Sequence, residues 1–310
     1  MRFQLINWYD FKITFLTETV VGESPVINKV FCEILSSELG ISQSECKKVV
    51  IQQRDRFLKR ILRVSSIRGL IRFSSEFLIE LLANQYFDKS AVCSFVSDLK
   101  SYGVPVCIYG EELDNSTLNI LKNKEWIVSD GNRLIYKNYP CLACSIFGTT
   151  GLPSLVIFSF KRGDYRKTES YITSGKIMRL RFFNEILLGR TGRKLLIETI
   201  PKDTSIVLSV GIKKPLIESL YVKNSNYNSE AVALSVIWLA FQLINAGIFR
   251  LGRFKSRGFG RIRIDSASNG DMEKIKNSLG IKVKETYYDL LTKKALEVVK
   301  EELRERLCCK

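Results

Sequence analysis

Histidine is missing from all 310 residues. Without it the chain lacks the side chain that most often acts as a general base near neutral pH, which excludes Ser-His-Asp triads and His-dependent nuclease mechanisms. Long hydrophobic runs are missing as well. The most apolar stretch, residues 231–246, is about one core helix long, is interrupted by Gln242 and Asn245, and falls short of the roughly 20 apolar residues that span a bilayer. The opening MRFQLINWYD has no basic region followed by an apolar run, so neither a signal peptide nor a membrane anchor is expected there, and the chain is read as cytoplasmic. Cysteine is present 8 times without a periodic framework, which suits scattered buried thiols in a reducing compartment. Cys141-x-x-Cys144 could form half of a zinc site. With no histidine and only Cys308 and Cys309 as a second pair, no metal site is expected.

What the chain has in excess is positive charge. Lys and Arg number 48 against 32 Asp and Glu, a formal net charge of +16, and a polyanionic partner such as nucleic acid would relieve the resulting self-repulsion. An apolar share of 45% is enough to build a core, so the chain is expected to fold as one large domain or two small ones.

Periodicity outlines the elements. Within residues 8–20, Phe11, Ile13 and Phe15 alternate with Lys12 and Thr14, which predicts a half-buried strand closed by Gly22. Residues 23–64 lack a clear period, apart from an amphipathic stretch at 27–39, and read as an insertion. Ser65 and Ser66 are suitable caps for a helix to about Asn84 with an apolar face of Ile67, Leu70, Ile71, Phe77, Leu78, Leu81 and Leu82. A second insertion, 85–140, carries turn signals at Tyr102-Gly103, Asp114-Asn115 and Asp130-Gly131 and predicts a small mixed subdomain. Residues 155–160 and 205–212 read as strands. The segment between them, 161–198, is a basic excursion whose residues 161–194 predict a protruding hairpin. Ser229 is expected to cap an apolar helix to about Ala246, and 259–264 predicts a last strand with alternating Arg261 and Arg263. The order strand, helix, strand, strand, helix, strand predicts an α+β protein with a ferredoxin-like (βαββαβ) core of the RRM type over residues 1–270: an antiparallel sheet with two helices on one face. Residues 271–310 read as a separate charged helical tail, solvated or facing a partner.

The most distinctive segment is Gly252-Arg253-Phe254-Lys255-Ser256-Arg257-Gly258-Phe259-Gly260-Arg261, between the second long helix and the last strand. Glycines allow positive φ and close approach of a ligand, while exposed N–H groups and basic side chains can cradle phosphates. No acidic residue occurs between Arg250 and Arg263. The loop precedes a strand and has no Walker lysine, so ATP binding is not expected. Phe254 and Phe259 could stack on bases or lie in the core. A second candidate is Arg63-Val64-Ser65-Ser66-Ile67-Arg68-Gly69-Leu70-Ile71-Arg72, where a helix start with free N–H groups meets flanking arginines.

At these two segments the sequence resembles the RAMP superfamily of CRISPR proteins, whose members have ferredoxin-like folds and a glycine-rich loop before the last core strand. Ser65-Ser66-Ile67-Arg68-Gly69 looks like the family's Ser-Ser-(Leu/Ile)-(Lys/Arg)-Gly helix start. Cys144-Ser145-Ile146-Phe147-Gly148 resembles its Cys-x-Leu-Phe-Gly element, and Glu198-Thr199-Ile200-Pro201 resembles the approach to a later core strand. These matches occur in the family's order across residues 64–264.

The resemblance implies an RNA-binding subunit of a type III-like effector complex in antiviral defence, of filament or cap type. Its partners would be CRISPR guide RNA, target RNA where one is paired, and other RAMP-type subunits, with no membrane involved. RNA contacts would fall on Ser65, Ser66, Arg68, Gly69 and Arg72, on Arg179 and Arg181 in a thumb formed by the basic hairpin, and on Arg250, Arg253, Lys255, Ser256, Arg257, Gly258, Gly260 and Arg261. Relatives that cut target RNA use an aspartate in the loop before the first helix. Here that loop offers Asp55, at a spacing from Ser65 that matches a different position, so cleavage is not expected. If it occurs, it would be that of a metal-dependent endoribonuclease through Asp55, with Glu23 and Glu45 as weaker candidates. RNA binding itself needs no cofactor. Rival readings are a guide-RNA-processing endoribonuclease of the same superfamily and a structural adaptor that binds an acidic protein.

Overall fold

The computed structural model describes residues 6–22, 32–33, 42, 49–50, 61–89, 91–92, 127–130, 133–136, 141–149, 152–161, 170–172, 177–180, 184–188, 195–215, 221–281 and 288–308. The alternation at the start of the chain forms β1 (Ile6–Phe15), in which Tyr9, Phe11, Ile13 and Phe15 are buried on one side. β1 pairs antiparallel with β3 (Ser205–Lys213) on one edge and with β4 (Ile262–Ser266) on the other. β2 (Val156–Phe160) pairs antiparallel with β3, so the sheet runs β4-β1-β3-β2.

Two long helices cover one face of this sheet. α1 (Val64–Phe87) buries Ile67, Leu70, Ile71, Leu78, Ile79 and Leu82. α3 (Ser229–Asn245) is buried along most of its length, and Phe241 meets Phe11 edge-on at 4.9 Å. A short helix, α2 (Leu142–Phe147), precedes β2. The molecule is thus an α+β protein built on a four-stranded antiparallel sheet.

The helix ends differ from expectation. α1 begins at Val64 after an extended Arg63 that makes no side-chain cap, so Ser65 and Ser66 lie inside the first turn. The reason is that α1 continues directly from the strand Ile61–Arg63, whose pairing with Ile177–Leu180 fixes where the extended backbone stops. It runs past Asn84 to Phe87, where Asp88 takes a left-handed conformation and its N–H reaches the Asn84 carbonyl at 3.2 Å. α3 is capped by Asn228 in place of Ser229, because the Asn228 side-chain oxygen accepts from the Ala231 N–H at 2.8 Å. Leu81 is exposed, and Ile79 takes the inward position expected of it.

The basic excursion after β2 contains Ser170–Ile172 paired with Ile177–Leu180, and Asn184–Leu188 paired with Leu195–Thr199. Each pair gains a third strand from the insertion before α1: Ile61–Arg63 joins the first antiparallel, and Val49–Val50 joins the second in parallel. The single hairpin of the sequence reading is therefore divided into two short hairpins, each anchored by edge pairing to the first insertion. Ile127–Asp130 pairs antiparallel with Arg133–Tyr136, and Gly131 of the predicted turn lies outside the described residues.

The chain after β4 does not form a solvated tail. α4 (Asn269–Ser278) and α5 (Tyr288–Cys308) place Met272, Ile275, Leu291, Ala295, Val298, Val299 and Leu303 in the main core. Asp271, Lys276 and Glu302 are buried, but most of the charges of these helices lie outside an apolar stripe of helical period, which is why composition alone read as solvated. Among the described residues, no helix is long and apolar enough to cross a membrane.

Candidate functional site

The loop joining α3 to β4 takes its shape from left-handed residues: Gly252 (φ 81°), Phe254 (φ 56°), Gly258 (φ 91°) and Gly260 (φ 79°). Space adds a second constraint at two of them. A Cβ on Gly252 would stand 1.9 Å from the Val20 carbonyl oxygen, and one on Gly260 would stand 1.9 Å from that of Leu251. Between them, Lys255–Arg257 form a single 3-10 turn.

Much of the loop backbone is bonded within the protein. Arg253 N–H donates to the Val20 carbonyl (2.8 Å), Gly260 N–H to that of Glu18 (3.0 Å) and Leu251 N–H to that of Gly260 (2.8 Å). Arg257 N–H donates to the Phe254 carbonyl (2.9 Å), Gly258 N–H to that of Lys255 (3.2 Å), and Arg261 N–H to Thr17 Oγ1 (2.9 Å). These amides were expected to cradle phosphate. They instead fix the loop against residues 17–21, since main-chain donors near a core are paired internally. An anion would meet the side chains.

Those side chains point outward. Arg253, Lys255, Ser256, Arg257 and Arg261 are exposed, and among the described residues no carboxylate pairs with Arg253, Lys255 or Arg257. Arg250 is half-buried and donates to the Lys255 carbonyl at 2.8 Å, bracing the turn. Phe259 is buried and packs edge-on against Phe254 at 6.2 Å, so of its two expected roles it takes the core one. The Arg257 guanidinium lies 5.7 Å from the Phe254 ring centre. Gly22, read from sequence only as a strand end, makes room for the Arg253 side chain: a Cβ there would stand 2.4 Å from Arg253 Nε.

The start of α1 uses its arginines differently. Arg68 Nη2 donates to the Phe147 carbonyl at 2.6 Å. Arg72 donates to Glu76 (2.8 Å), to the Gly148 carbonyl (3.2 Å) and to Cys144 Sγ (3.8 Å). Burial works against the Arg72 charge, but the hydrogen bond and charge of Glu76, together with Cys144 and Cys141, outweigh it and hold the guanidinium pKa above its ordinary value. The Ser-Ser-Ile-Arg-Gly and Cys-Ser-Ile-Phe-Gly segments therefore form one clamp that ties α1 to the C-terminal end of α2. Cys141 Sγ accepts from the Cys144 N–H at 3.5 Å and caps α2. Among the described residues no group of three or more His, Cys, Asp or Glu converges as a metal site. Cys32 is disulfide-bonded, in contrast to the free thiols read from composition.

The root of the loop meets α1. Phe249 packs edge-on against Phe73 at 5.4 Å and Phe77 at 5.2 Å, and Phe73 stands one helical turn beyond Gly69. Gly69 is exposed, with nothing within 4 Å of a Cβ added there. Of the remaining predicted residues, Ser65 is exposed, Ser66 is half-buried and Arg179 lies in the strand Ile177–Leu180. Arg181, Asp55, Glu23 and Glu45 lie outside the described residues.

A model of the RAMP superfamily matches residues 12–263, from within β1 to within β4. Among solved structures, a chain from a Type IV-B CRISPR complex is similar at 11% identity with a TM-score of 0.41, over 85% of this chain and 91% of that one. No curated protein matches the sequence.

Proposed function

Since the chain belongs to the RAMP superfamily, we propose that it is an RNA-binding subunit of a CRISPR effector complex, of type III-like organisation, that grips guide RNA by its backbone. The observation that carries this reading is the rigid loop before β4, which presents Arg253, Lys255 and Arg257 to solvent without acidic partners among the described residues. Contacts of this kind hold phosphates without reading bases. The strand order β4-β1-β3-β2, with a helix crossing from β1 to β2 and another from β3 to β4 on the same face, supports the ferredoxin-like reading of the core. Other subunits of the same superfamily would be its protein partners. The binding role requires no cofactor. A divalent metal enters only with cleavage, for which Asp55 is the position to substitute first.

Replacing Arg253, Lys255 and Arg257 together with alanine is expected to weaken binding to single-stranded guide RNA at least ten-fold. It is also expected to flatten the slope of log K against log salt by about 2, at about 0.7 per phosphate contact on a single strand. Filter binding or fluorescence anisotropy across a salt series reads both quantities. Unchanged affinity and slope would remove the loop from the RNA path and the reading with it.

A further inference from the structure

The sheet face opposite the helices carries a graded set of side chains. In cross-strand register its rows run Trp8, Gly211, Ile157; then Asp10, Ser209, Ser159; then Asp265, Lys12, Val207; then Arg263, Thr14, Ser205. Lys161 follows directly after β2, and its N–H bonds the Val207 carbonyl at 3.0 Å. Trp8 is 38% exposed. A Cβ on Gly211 would stand 2.9 Å from both Cη2 and Cζ3 of the indole, so the ring leans across onto the bare backbone of β3. A larger residue at 211 would push it off the sheet.

The carboxylates of this face are already engaged. Asp10 accepts from Lys161 Nζ and, at 2.6 Å, from Ser209 Oγ, and Asp265 pairs with Arg263 at 2.8 Å. Lys12 is exposed and leaves the face with surplus positive charge. It stands two rows from Trp8, about 13 Å at about 3.3 Å per residue, a span comparable to two nucleotides of extended chain. On β4, Arg263 continues the basic surface towards the loop that precedes the strand. Apolar area is confined to the Trp8 end, where Ile6 and Ile157 flank Gly211 and the indole, and the next row is Asp10, Ser209 and Ser159, so a protein partner would find only a small apolar patch. An unpaired base needs only one aromatic plane, with cations at the spacing of its phosphates.

We propose that this helix-free face is a second RNA contact, in which Trp8, seated on Gly211, stacks on an unpaired base while Lys12 meets an adjoining phosphate. It rests on the proposed RNA-binding role but not on the loop. The test titrates the full-length protein with single-stranded oligouridine and follows tryptophan fluorescence. Quenching is expected in the native chain, loss of that quenching and about ten-fold weaker binding in Trp8→Leu, and recovery of most of the affinity in Trp8→Tyr. Gly211→Ala should weaken the quench as well. Photo-crosslinking of the native chain to 5-bromouridine RNA needs no variant, and an adduct at Trp8 is expected. Wild-type affinity and quenching in Trp8→Leu, or adducts only elsewhere, would overturn the inference while leaving the loop reading intact. Wild-type binding in the triple-alanine loop variant, with loss in Trp8→Leu, would retain this face and reject the loop. A native chain that binds no RNA rejects both, and leaves Trp8 to a protein partner.

Discussion

A methyl group added at Gly252 would run into the Val20 carbonyl at 1.9 Å in a backbone with φ 81°, one added at Gly258 would meet open space at φ 91°, and one added at Gly69 would meet open space in an ordinary helix. The substitutions should separate accordingly in urea denaturation. Gly252→Ala is expected to cost more than about 2 kcal/mol, since strain and overlap add. Gly258→Ala should cost about 1 kcal/mol, the left-handed penalty alone. Gly69→Ala should stabilise by about 0.5–1 kcal/mol, the usual gain of alanine over glycine in a helix. A helix that keeps such a glycine on an exposed turn leaves room for something to approach, so Gly69→Ala is also expected to lower RNA affinity. Stabilisation with unchanged affinity would show that no RNA backbone comes near that turn.

At the scale of elements, the sequence segments that looked like separate phosphate sites divide into two kinds. The loop before β4 keeps its cations outside. The N-terminal half of α1 points Arg68 and Arg72 at the carbonyls that end α2, so those two arginines hold helices together. The C-terminal helix is attached with similar chemistry. Glu302 in α5, 0% exposed at its side chain, accepts from the Lys223 N–H at 2.9 Å and the Asn224 N–H at 2.9 Å, and pairs with Arg306, 6% exposed, at 2.5 Å. Arg306 in turn donates to the Tyr221 carbonyl (2.6 Å) and Ser145 Oγ (3.2 Å). Removing one partner strands a buried charge, so Glu302→Ala should cost about 3–5 kcal/mol in chemical denaturation. The double variant Glu302→Ala, Arg306→Leu should recover a substantial part of that loss. If Glu302→Ala melts like the native protein, α5 is held by its apolar stripe alone.

At the scale of the molecule, pH offers a test of the core beneath the sheet. Burial, and then the hydrogen bond its hydroxyl donates to Glu230, push the Tyr9 pKa well above its ordinary value of 10.0. A folded-state pKa raised above the unfolded one gives stability that is complete below about pH 10 and falls as pH rises further. Tyr9→Phe should flatten that alkaline limb in melting experiments from pH 9 to 11 and leave the neutral range without a matching slope. An alkaline limb of unchanged steepness would place its cause elsewhere. As for what was legible in the chain, alternation at Phe11, Ile13 and Phe15 and the apolar run of α3 are local patterns, and they fixed the core strands and helices. The +16 charge and the glycines around Arg253 are local too, and they marked the loop as the basic surface. Direction and partnership are not local. Whether Arg68 faces solvent or a carbonyl 79 residues away, whether the last helices float or pack, and whether Trp8 finds a glycine opposite it all depend on which strands and helices become neighbours. Tertiary packing alone decides that, because a side chain's partners are set by distance in space and not by separation along the chain.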